Sequence, residues 1–392
     1  MKSRFYPLLA AIACALIPLH AHACAPQNAP CAIYRFRDYG TGGAPEGGLV
    51  LGPNGTLYGE TSAGGTKPCN ATYGEAGEGC GTVYSLSAKD GYKVLVSFHG
   101  PNGAFGASTV TLVGNTLYGT TQRGGAGQNG VIFAVNTDGS NFTLLHQFKG
   151  PDGSDPLGPL VPGPNGILYG ITNIGGPGLL KQSAGVLFSL TPTGTYKILY
   201  EFSEADGENP NTLVMTPSGI LAGGTTFGGP TNPDYCPQGC GVIFSFNPAN
   251  SQYTILKTYS GGYTYTSSPF IGSVGPDGTI YGNDEDLFSI TLSGNYQILA
   301  VSNVYYTGDY PQSGPLLAPD GTLYGTYTSG AGVISGSLYS YNPSNPGVLN
   351  FVCPGGSAPQ PILAPNGDLI NTSTLPLFGT RPAGGEIYDC TP

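Results

Sequence analysis

Carboxylates are the side chains in this sequence that could perform hydrolytic chemistry. Hydrolysis of a glycosidic bond uses two carboxyl groups whose pKa values are pushed apart. Acidic residues gather in two interstrand linkers, at Asp152, Asp155, Glu204, Asp206 and Glu208. The Asp-Gly pairs among them are more simply read as turn formers. A secreted carboxylate-dependent glycan hydrolase or lyase is therefore kept only as an alternative function.

The densest acidic run is Asn283-Asp284-Glu285-Asp286. Successive side chains of an extended segment point to opposite sides, so these three acids cannot all converge on one calcium ion or one substrate. We expect a solvated acidic turn, and calcium binding near Asp284 stays open as an alternative.

Other catalytic signals are weak. The two histidines beyond the N-terminal segment, His99 and His146, fall in predicted strands at non-equivalent positions, where ordinary strand residues are expected. No Gly-x-Ser-x-Gly nucleophile motif occurs. Residues 125–130 fit Gly-x-Gly-x-x-Gly, but they join two predicted strands and open no helix that could hold a pyrophosphate. We predict no catalytic residue, cofactor or metal, and we expect no enzyme.

A saccharide site would use exposed aromatic rings, and the chain has 26 tyrosines and no tryptophan. Most tyrosines recur at fixed places in the strands and are expected to pack between sheets. The better candidates lie outside the repeat, at Tyr73, Tyr235, Tyr263, Tyr265, Tyr305 and Tyr306. The candidate ligand-binding residues are Tyr73, Arg123, Asp155, Asp206, Tyr235, Asp284 and Tyr305.

A repeated phrase, Gly-Pro-Asn-Gly-Thr-Leu-Tyr-Gly at residues 52–59, defines the elements that must position these residues. Its copies end at Gly59, Gly119, Gly170, Gly223, Gly282, Gly325 and Asn371, a spacing typical of propellers. Asn-Gly and Asp-Gly pairs in the phrase favour a hairpin turn. Each copy continues with two more apolar strands, so each repeat predicts four antiparallel strands. Helices are nearly excluded because Gly or Pro interrupts almost every window.

The two ends of the repeat array are complementary. The last copy lacks a fourth strand, whereas residues 31–36 look like a fourth strand without the first three. An open solenoid would instead carry polar capping repeats at its ends. We predict an all-β fold, a seven-bladed β-propeller of four-stranded antiparallel blades whose last blade is closed by the N-terminal strand. Residues 24–392 are expected to form this single domain.

The connections between strands predict where a ligand would bind. Tight turns join the first strand to the second and the third to the fourth, while long, dissimilar loops make the other connections. Because strand direction alternates, all the long loops emerge on one side, here called the long-loop face. Variable loops on a rigid scaffold commonly carry binding. We predict a non-catalytic protein that binds a protein or a glycan through this face.

The Leu-Tyr-Gly-Thr-Thr, Gly-Gly and Gly-Val-Ile-Phe segments resemble the GloVer-type tandem repeat of secreted bacterial proteins, over about residues 31 to 390. The resemblance implies a secreted or surface repeat protein and no settled biochemical activity. The fourth, fifth and seventh copies depart from the motif at Ala222, at Asn283-Asp284 and at Ile370-Asn371.

The cysteines suit an oxidising compartment. Cys80 and Cys240 stand directly before third strands, which predicts local bonds Cys69–Cys80 and Cys236–Cys240 in two long loops. A Cys31–Cys390 bond would latch the closed ring, and subtraction then leaves Cys24 with Cys353. Zinc at Cys236 and Cys240 would need two further ligands that the neighbourhood does not offer.

The N-terminal residues predict export. Lys2 and Arg4 precede an apolar run that ends at Ala21-His22-Ala23, so residues 1–23 read as a signal peptide. No later run is long enough for a membrane helix. We expect a secreted or cell-surface protein, with a lipoprotein acylated at Cys24 as the alternative. A net charge of -10 disfavours nucleic acid as a partner, and we expect a monomer.

Overall fold

The computed structural model describes residues 31–36, 40–67, 69, 79–106, 108–177, 184–234, 236–260, 268–301, 310–311, 313–328, 336–355, 360–373 and 385–392. Within these ranges the chain forms seven antiparallel sheets of four strands, the blades of a β-propeller. The predicted fold class is confirmed. Helical structure in the same ranges is limited to one 3₁₀ turn, Pro164–Gly166.

The blades follow one another along the chain, each running from its first strand to its fourth. Blade 1 contains β2 (Val50–Leu51), β3 (Leu57–Thr61), β4 (Thr82–Ser87) and β5 (Gly91–Ser97). Blade 2 contains β6 (Thr111–Val113), β7 (Thr116–Thr121), β8 (Val131–Asn136) and β9 (Thr143–Gln147). Blade 3 contains β10 (Ser154–Pro162), β11 (Leu168–Ile174), β12 (Val186–Leu190) and β13 (Tyr196–Glu201). Blade 4 contains β14 (Glu208–Met215), β15 (Leu221–Phe227), β16 (Val242–Asn247) and β17 (Gln252–Thr258).

The remaining blades keep this order, with one split strand. Blade 5 contains β18 (Phe270–Val274), β19 (Ile280–Asn283), β20 (Leu287–Ile290) and β21 (Tyr296–Ala300). In blade 6 the first strand is divided into β22 (Tyr310–Pro311) and β23 (Leu316–Leu317), which both pair with β24 (Leu323–Thr328). β25 (Gly336–Tyr341) and β26 (Leu349–Gly355) complete blade 6. Blade 7 contains β27 (Ile362–Leu363), β28 (Leu369–Ser373), β29 (Glu386–Cys390) and β1 (Cys31–Arg35).

The N-terminal strand closes the last blade, as predicted. β1 pairs antiparallel with β29, and Arg35 lies opposite Glu386. Arg35 Nε and Glu386 Oε2 are 3.1 Å apart. The Glu386 side chain is buried and that of Arg35 is half exposed. Removing the arginine would leave a buried carboxylate without this partner, so the pair favours the closed arrangement.

The core is divided among the blade interfaces. Each of seven clusters of buried apolar residues in the described ranges joins two neighbouring blades. One of them packs Ile370 and Ile387 of blade 7 against Leu57 and Tyr84 of blade 1. The apolar contacts therefore run around the complete ring, and no blade has a core of its own.

Glycine ends the Leu-Tyr-Gly phrase because an aromatic ring from the third strand lies across it. A Cβ atom at Gly59 would come within 2.5 Å of Tyr84 Oη, and one at Gly170 within 2.4 Å of Phe188 Cζ. Gly119, Gly223, Gly282 and Gly325 face Phe133, Phe244, Phe288 and Tyr339 in the same way. Without a side chain in the way, each ring packs toward the preceding blade. The seventh copy differs, since Asn371 lies opposite Tyr388.

Two residues after this glycine, threonine ties the second strand to the third. Thr61 Oγ1 donates to Ala63 O at 2.9 Å and accepts from Thr82 N at 3.0 Å. Thr172 and Thr225 make the same two bonds in blades 3 and 4. The side chain thus fixes the start of the long loop on the long-loop face.

The two predicted loop disulfides are present. Cys69 is bonded to Cys80 and Cys236 to Cys240, each within the loop between a second and a third strand. A covalent link across a loop reduces the conformational freedom of the unfolded chain.

The predicted latch between Cys31 and Cys390 is wrong, because Cys390 is bonded to Cys353. Cys31 lies opposite Asp389, and successive residues of a strand point to opposite faces. Cys390 therefore points away from Cys31 and packs with Cys353 in the interface between blades 6 and 7. The pairing of Cys24 with Cys353 is wrong for the same reason. Cys31 is also disulfide-bonded, to another cysteine.

Candidate functional site

Four non-glycine residues with left-handed backbone stand where blades 1 to 4 begin. Ala44, Phe105, Asp155 and Asn209 have φ values of 50°, 60°, 54° and 52°. Such values are uncommon for residues other than glycine, and Phe105 is the least suited of the four because its side chain is bulky. The repetition shows that the backbone of the scaffold requires this conformation in each of these blades.

These positions lie on the long-loop face, against the end of the second strand of the same blade. Ser62 N donates to Ala44 O, and Gln122 N donates to Phe105 O, each at 3.0 Å. In blade 3, Asp155 lies between Ser154 and Pro156, which pair with Ile174 and Thr172. Each of these four blades therefore holds its left-handed residue beside the residues that end its second strand, at an equivalent point of the long-loop face.

A hydrogen-bonded series of polar side chains crosses from blade 4 to blade 3 at these points. Asn209 Nδ2 donates to both Asn173 O and Asn173 Oδ1, each at 3.0 Å. Asn173 Nδ2 in turn donates to Asp155 Oδ2 at 3.0 Å. All three residues are half-buried. The two amides are oriented by their own bonds, and polar atoms of Asp155 and Asn209 remain for a ligand.

Arg123 of blade 2 carries a charge that acts on Asp155 of this series. Its guanidinium carbon lies 5.6 Å from the centre of the Phe105 ring, which holds the planar group by a cation–π contact. The Arg123 side chain is exposed and forms no salt bridge with a described residue. Phe105, Arg123, Asp155, Asn173 and Asn209 are together called the polar row.

The charge of Arg123 acts on the carboxyl group of Asp155 within the polar row. Burial raises the pKa of the Asp155 carboxyl group above its usual value, while the hydrogen bond from Asn173 and the charge of Arg123 oppose this rise. The Asp155 backbone is also anchored, because its N–H donates to Asn129 O of the neighbouring blade at 3.0 Å. The polar row thus combines an oriented cation with a fixed carboxyl group.

Asp206, another predicted ligand-binding residue, has its partners within the scaffold. Asp206 accepts hydrogen bonds from Ser203 N and Ser203 Oγ at 2.7 and 2.9 Å, and from the Tyr200 hydroxyl. Asp152 accepts from Lys149 N in the equivalent linker. These bonds are those of turn formers, as the Asp-Gly pairs suggested.

Asp284 is buried, which corrects the expected solvated turn. It occupies the place of the repeated threonine in blade 5 and accepts from Asp286 N at 2.8 Å. Its other oxygen accepts from the hydroxyl groups of Tyr259 and Tyr296 at 2.9 and 2.8 Å. No group of three or more His, Cys, Asp or Glu side chains in the described ranges is placed to hold a metal ion.

His146 packs as an aromatic strand residue. Its ring stacks on Tyr196 at 3.9 Å between centroids, and Tyr200 stacks on Tyr253 in the same way one blade later. Its Nε2 atom is 3.0 Å from Asp152 Oδ2. Burial lowers the pKa of His146, and Asp152 opposes that change.

The predicted binding tyrosines Tyr73, Tyr235 and Tyr305 lie outside the described residues, as do Tyr263, Tyr265 and Tyr306. The structure brings Arg123 and Asp155 into one site. Sequence reasoning missed Phe105, Asn173 and Asn209. A usable signal was present, since Ala44-Pro45, Asp155-Pro156 and Asn209-Pro210 recur where the blades begin.

Glu60 was also missed. It is fully buried between blades 1 and 2, where a Cβ atom at Gly119 would lie 2.3 Å from its Oε1. Neither carboxyl oxygen completes a hydrogen bond with a described residue. Burial raises the pKa of Glu60 well above its usual value, and the nearby backbone N–H of Ser108 opposes this only in part. The signal was a charged residue directly after Leu-Tyr-Gly, where the other copies carry uncharged ones.

The repeat itself identifies the family. The profile of the Gloeobacter/Verrucomicrobia repeat matches residues 25–235, which is more than half of the chain. The chain belongs to the Gloeobacter/Verrucomicrobia repeat family. The resemblance to the GloVer-type repeat is thereby confirmed. No curated protein matches this member of the repeat family significantly.

Solved structures similar to this repeat protein have diverse functions. A virginiamycin B lyase from Staphylococcus aureus is 13% identical with a TM-score of 0.58, covering 92% of this chain and 98% of the lyase. An oligogalacturonate lyase bound to manganese is 14% identical with a TM-score of 0.55, covering 88% and 95%. A chain of a mitotic checkpoint complex is 12% identical with a TM-score of 0.54, covering 93% and 96%. At such identities the likeness shows the fold alone.

Proposed function

We propose that this protein is an extracellular binding protein that holds a protein or a glycan through the long-loop face, at the polar row. The observation that supports this most strongly is Arg123, an exposed guanidinium group oriented on Phe105 and free of salt bridges with the described residues. A planar donor that no described acid satisfies suits an external partner.

An extracellular location is supported by the cysteines. Cys69–Cys80, Cys236–Cys240 and Cys353–Cys390 are all bonded, and such bonds persist in oxidising compartments. The described residues include no helix long and apolar enough to cross a membrane. The N-terminal segment that reads as a signal peptide is consistent with export.

The alternative, a carboxylate-dependent glycan hydrolase or lyase, receives less support. Such chemistry needs two acids that converge on one substrate. Asp206 and Asp284 instead bind groups of the scaffold, and Asp155 is paired with an amide. The lyases among the structural neighbours are too distant in sequence to lend their activity to this chain.

A printed array of defined glycans and purified extracellular proteins tests the proposal. The wild type and Lys89→Ala, which removes one positive charge from a tight turn on the opposite face, should give the same signals. A double variant, Arg123→Ala with Asp155→Ala, should lose them. Absence of any signal, or equal signals from the double variant, would overturn the proposal.

A further inference from the structure

The polar row presents two kinds of chemistry side by side. At one end, Arg123 offers N–H donors in a fixed plane on Phe105. At the other end, Asp155 and Asn209 flank Asn173 in a series of oriented hydrogen bonds. A ligand that fills the whole row therefore needs an anionic group and several hydroxyl groups.

The cationic end selects a planar anion. A guanidinium group binds a carboxylate through two parallel hydrogen bonds, which a single hydroxyl group cannot match. The packing of Arg123 on Phe105 limits its freedom before any ligand arrives, so less entropy is lost on binding.

The other end selects hydroxyl groups. Asp155 accepts one hydrogen bond from Asn173 and keeps further lone pairs, and the Asn209 amide has an oxygen that accepts. Adjacent hydroxyls of a sugar ring can donate to such acceptors. A second anion is disfavoured here, because Asp155 would repel it.

We infer that the polar row binds an acidic saccharide, with a sugar carboxylate on Arg123 and sugar hydroxyls on Asp155 and Asn209. This inference rests on the proposed function and specifies its ligand. Neutral saccharides lack the group that Arg123 needs, and acidic peptides lack the hydroxyl groups that suit Asp155.

Isothermal titration calorimetry with a galacturonate trisaccharide tests the assignment, with the neutral galactose trisaccharide and a tri-aspartate peptide as comparison ligands. The wild type should bind the acidic saccharide at least about tenfold more tightly than either comparison ligand. Arg123→Ala should lose about tenfold or more in affinity, while Lys89→Ala should lose none. Arg123→Lys keeps the charge without the planar donors and should recover only part of the loss.

The outcomes separate this inference from the proposed function. Equal binding of the acidic and neutral saccharides, or tighter binding of the peptide, would overturn the saccharide assignment. The assignment also fails if no saccharide binds while array ligands still depend on Arg123 and Asp155, and the binding role then stands. If neither the saccharides nor the array ligands bind, both are wrong.

Discussion

Blades 1 and 2 share a backbone at their first strands and differ in the side chains it carries. Ala44 and Phe105 have the same left-handed conformation and accept the same hydrogen bond from the second strand. Blade 1 surrounds this point with Ser62 and Ala63, whereas blade 2 has Gln122 and Arg123. Small residues at these positions are therefore enough for blade 1 to fold. The Phe105 ring of blade 2 packs in part against the apolar cluster between blades 1 and 2, whereas the Arg123 cation that it supports is exposed and forms no salt bridge with a described residue, so the cation points to a ligand.

The comparison is tested most strongly by making blade 2 resemble blade 1. The triple exchange Phe105→Ala, Gln122→Ser and Arg123→Ala should reduce affinity for the acidic saccharide by about 100-fold or more, because it removes both the planar donor and its support. The variant should stay folded, with the free energy of unfolding lowered by about 1 to 2 kcal/mol, because the half-buried Phe105 ring loses its packing against the apolar cluster between blades 1 and 2. Titration calorimetry and urea denaturation measure the two effects. Unchanged binding, or unfolding of the variant, would break the comparison.

The glycine that six of the seven blades share should behave in the opposite way. Gly170→Ala should lower the free energy of unfolding by about 1 to 3 kcal/mol, because the new methyl group meets the Phe188 ring. Saccharide affinity of the folded fraction should be retained. Urea denaturation followed by tyrosine fluorescence reports the loss, and a stability equal to the wild type would contradict the packing argument.

Glu60 is a second difference between blades 1 and 2, since Thr120 has its place in blade 2. Glu60→Gln should raise the free energy of unfolding at pH 7 by about 1 to 2 kcal/mol, and the gain should vanish near pH 4. Burial holds the folded pKa of Glu60 well above 4.5, the usual value for a glutamate carboxyl group. Below that value both states are protonated. As the pH rises toward the folded pKa, only the unfolded chain releases its proton, so the wild type loses stability.

Urea denaturation of both proteins from pH 4 to pH 8 measures this effect. A difference between them that does not vary with pH would show that Glu60 is not held neutral in the folded protein.

The smallest effects are expected from glycine at the left-handed positions. Ala44→Gly should leave the free energy of unfolding within about 0.5 kcal/mol of the wild type, because relief of the backbone is offset by a more flexible unfolded chain. Saccharide affinity should not change. Asp155→Gly makes the same backbone change and should weaken saccharide binding several-fold. Calorimetry that finds both variants equal in affinity would remove Asp155 from the site.

The repeat allowed much of the fold to be predicted. Strand number and blade number follow from the spacing of the Leu-Tyr-Gly phrase, and closure follows from the complementary ends of the array. The loop disulfides follow from equivalent places before third strands. The partner of Cys390 could not be predicted in the same way, because it depends on which face of β29 the side chain occupies. The repeat predicts which residues pair within one blade. It does not predict which side chains of that blade meet the neighbouring blade, where Cys353 lies.

The site was only partly predictable. Arg123 and Asp155 were predicted as polar residues of the long-loop face, but Asn173 and Asn209 are 36 positions apart and meet only across a blade interface. Asp206 and Asp284 looked equally suitable in the sequence. The bonds of Asp206 to Ser203 are those that its Asp-Gly pair suggested, whereas Tyr259 is 25 positions from Asp284 and their hydrogen bond becomes visible only in three dimensions.

The most direct test of the polar row uses the small number of arginines in the chain. Apart from Arg4 in the N-terminal segment, the sequence contains Arg35, Arg37, Arg123 and Arg381. Selective labelling of arginine with nitrogen-15 gives a few resolvable side-chain signals, and Arg123→Lys assigns one of them. On titration with the galacturonate trisaccharide, the Arg123 signal should shift and that of Arg35, paired with Glu386, should stay in place. An Arg123 signal that does not move at saturation, or that moves equally with the neutral trisaccharide, would contradict the account.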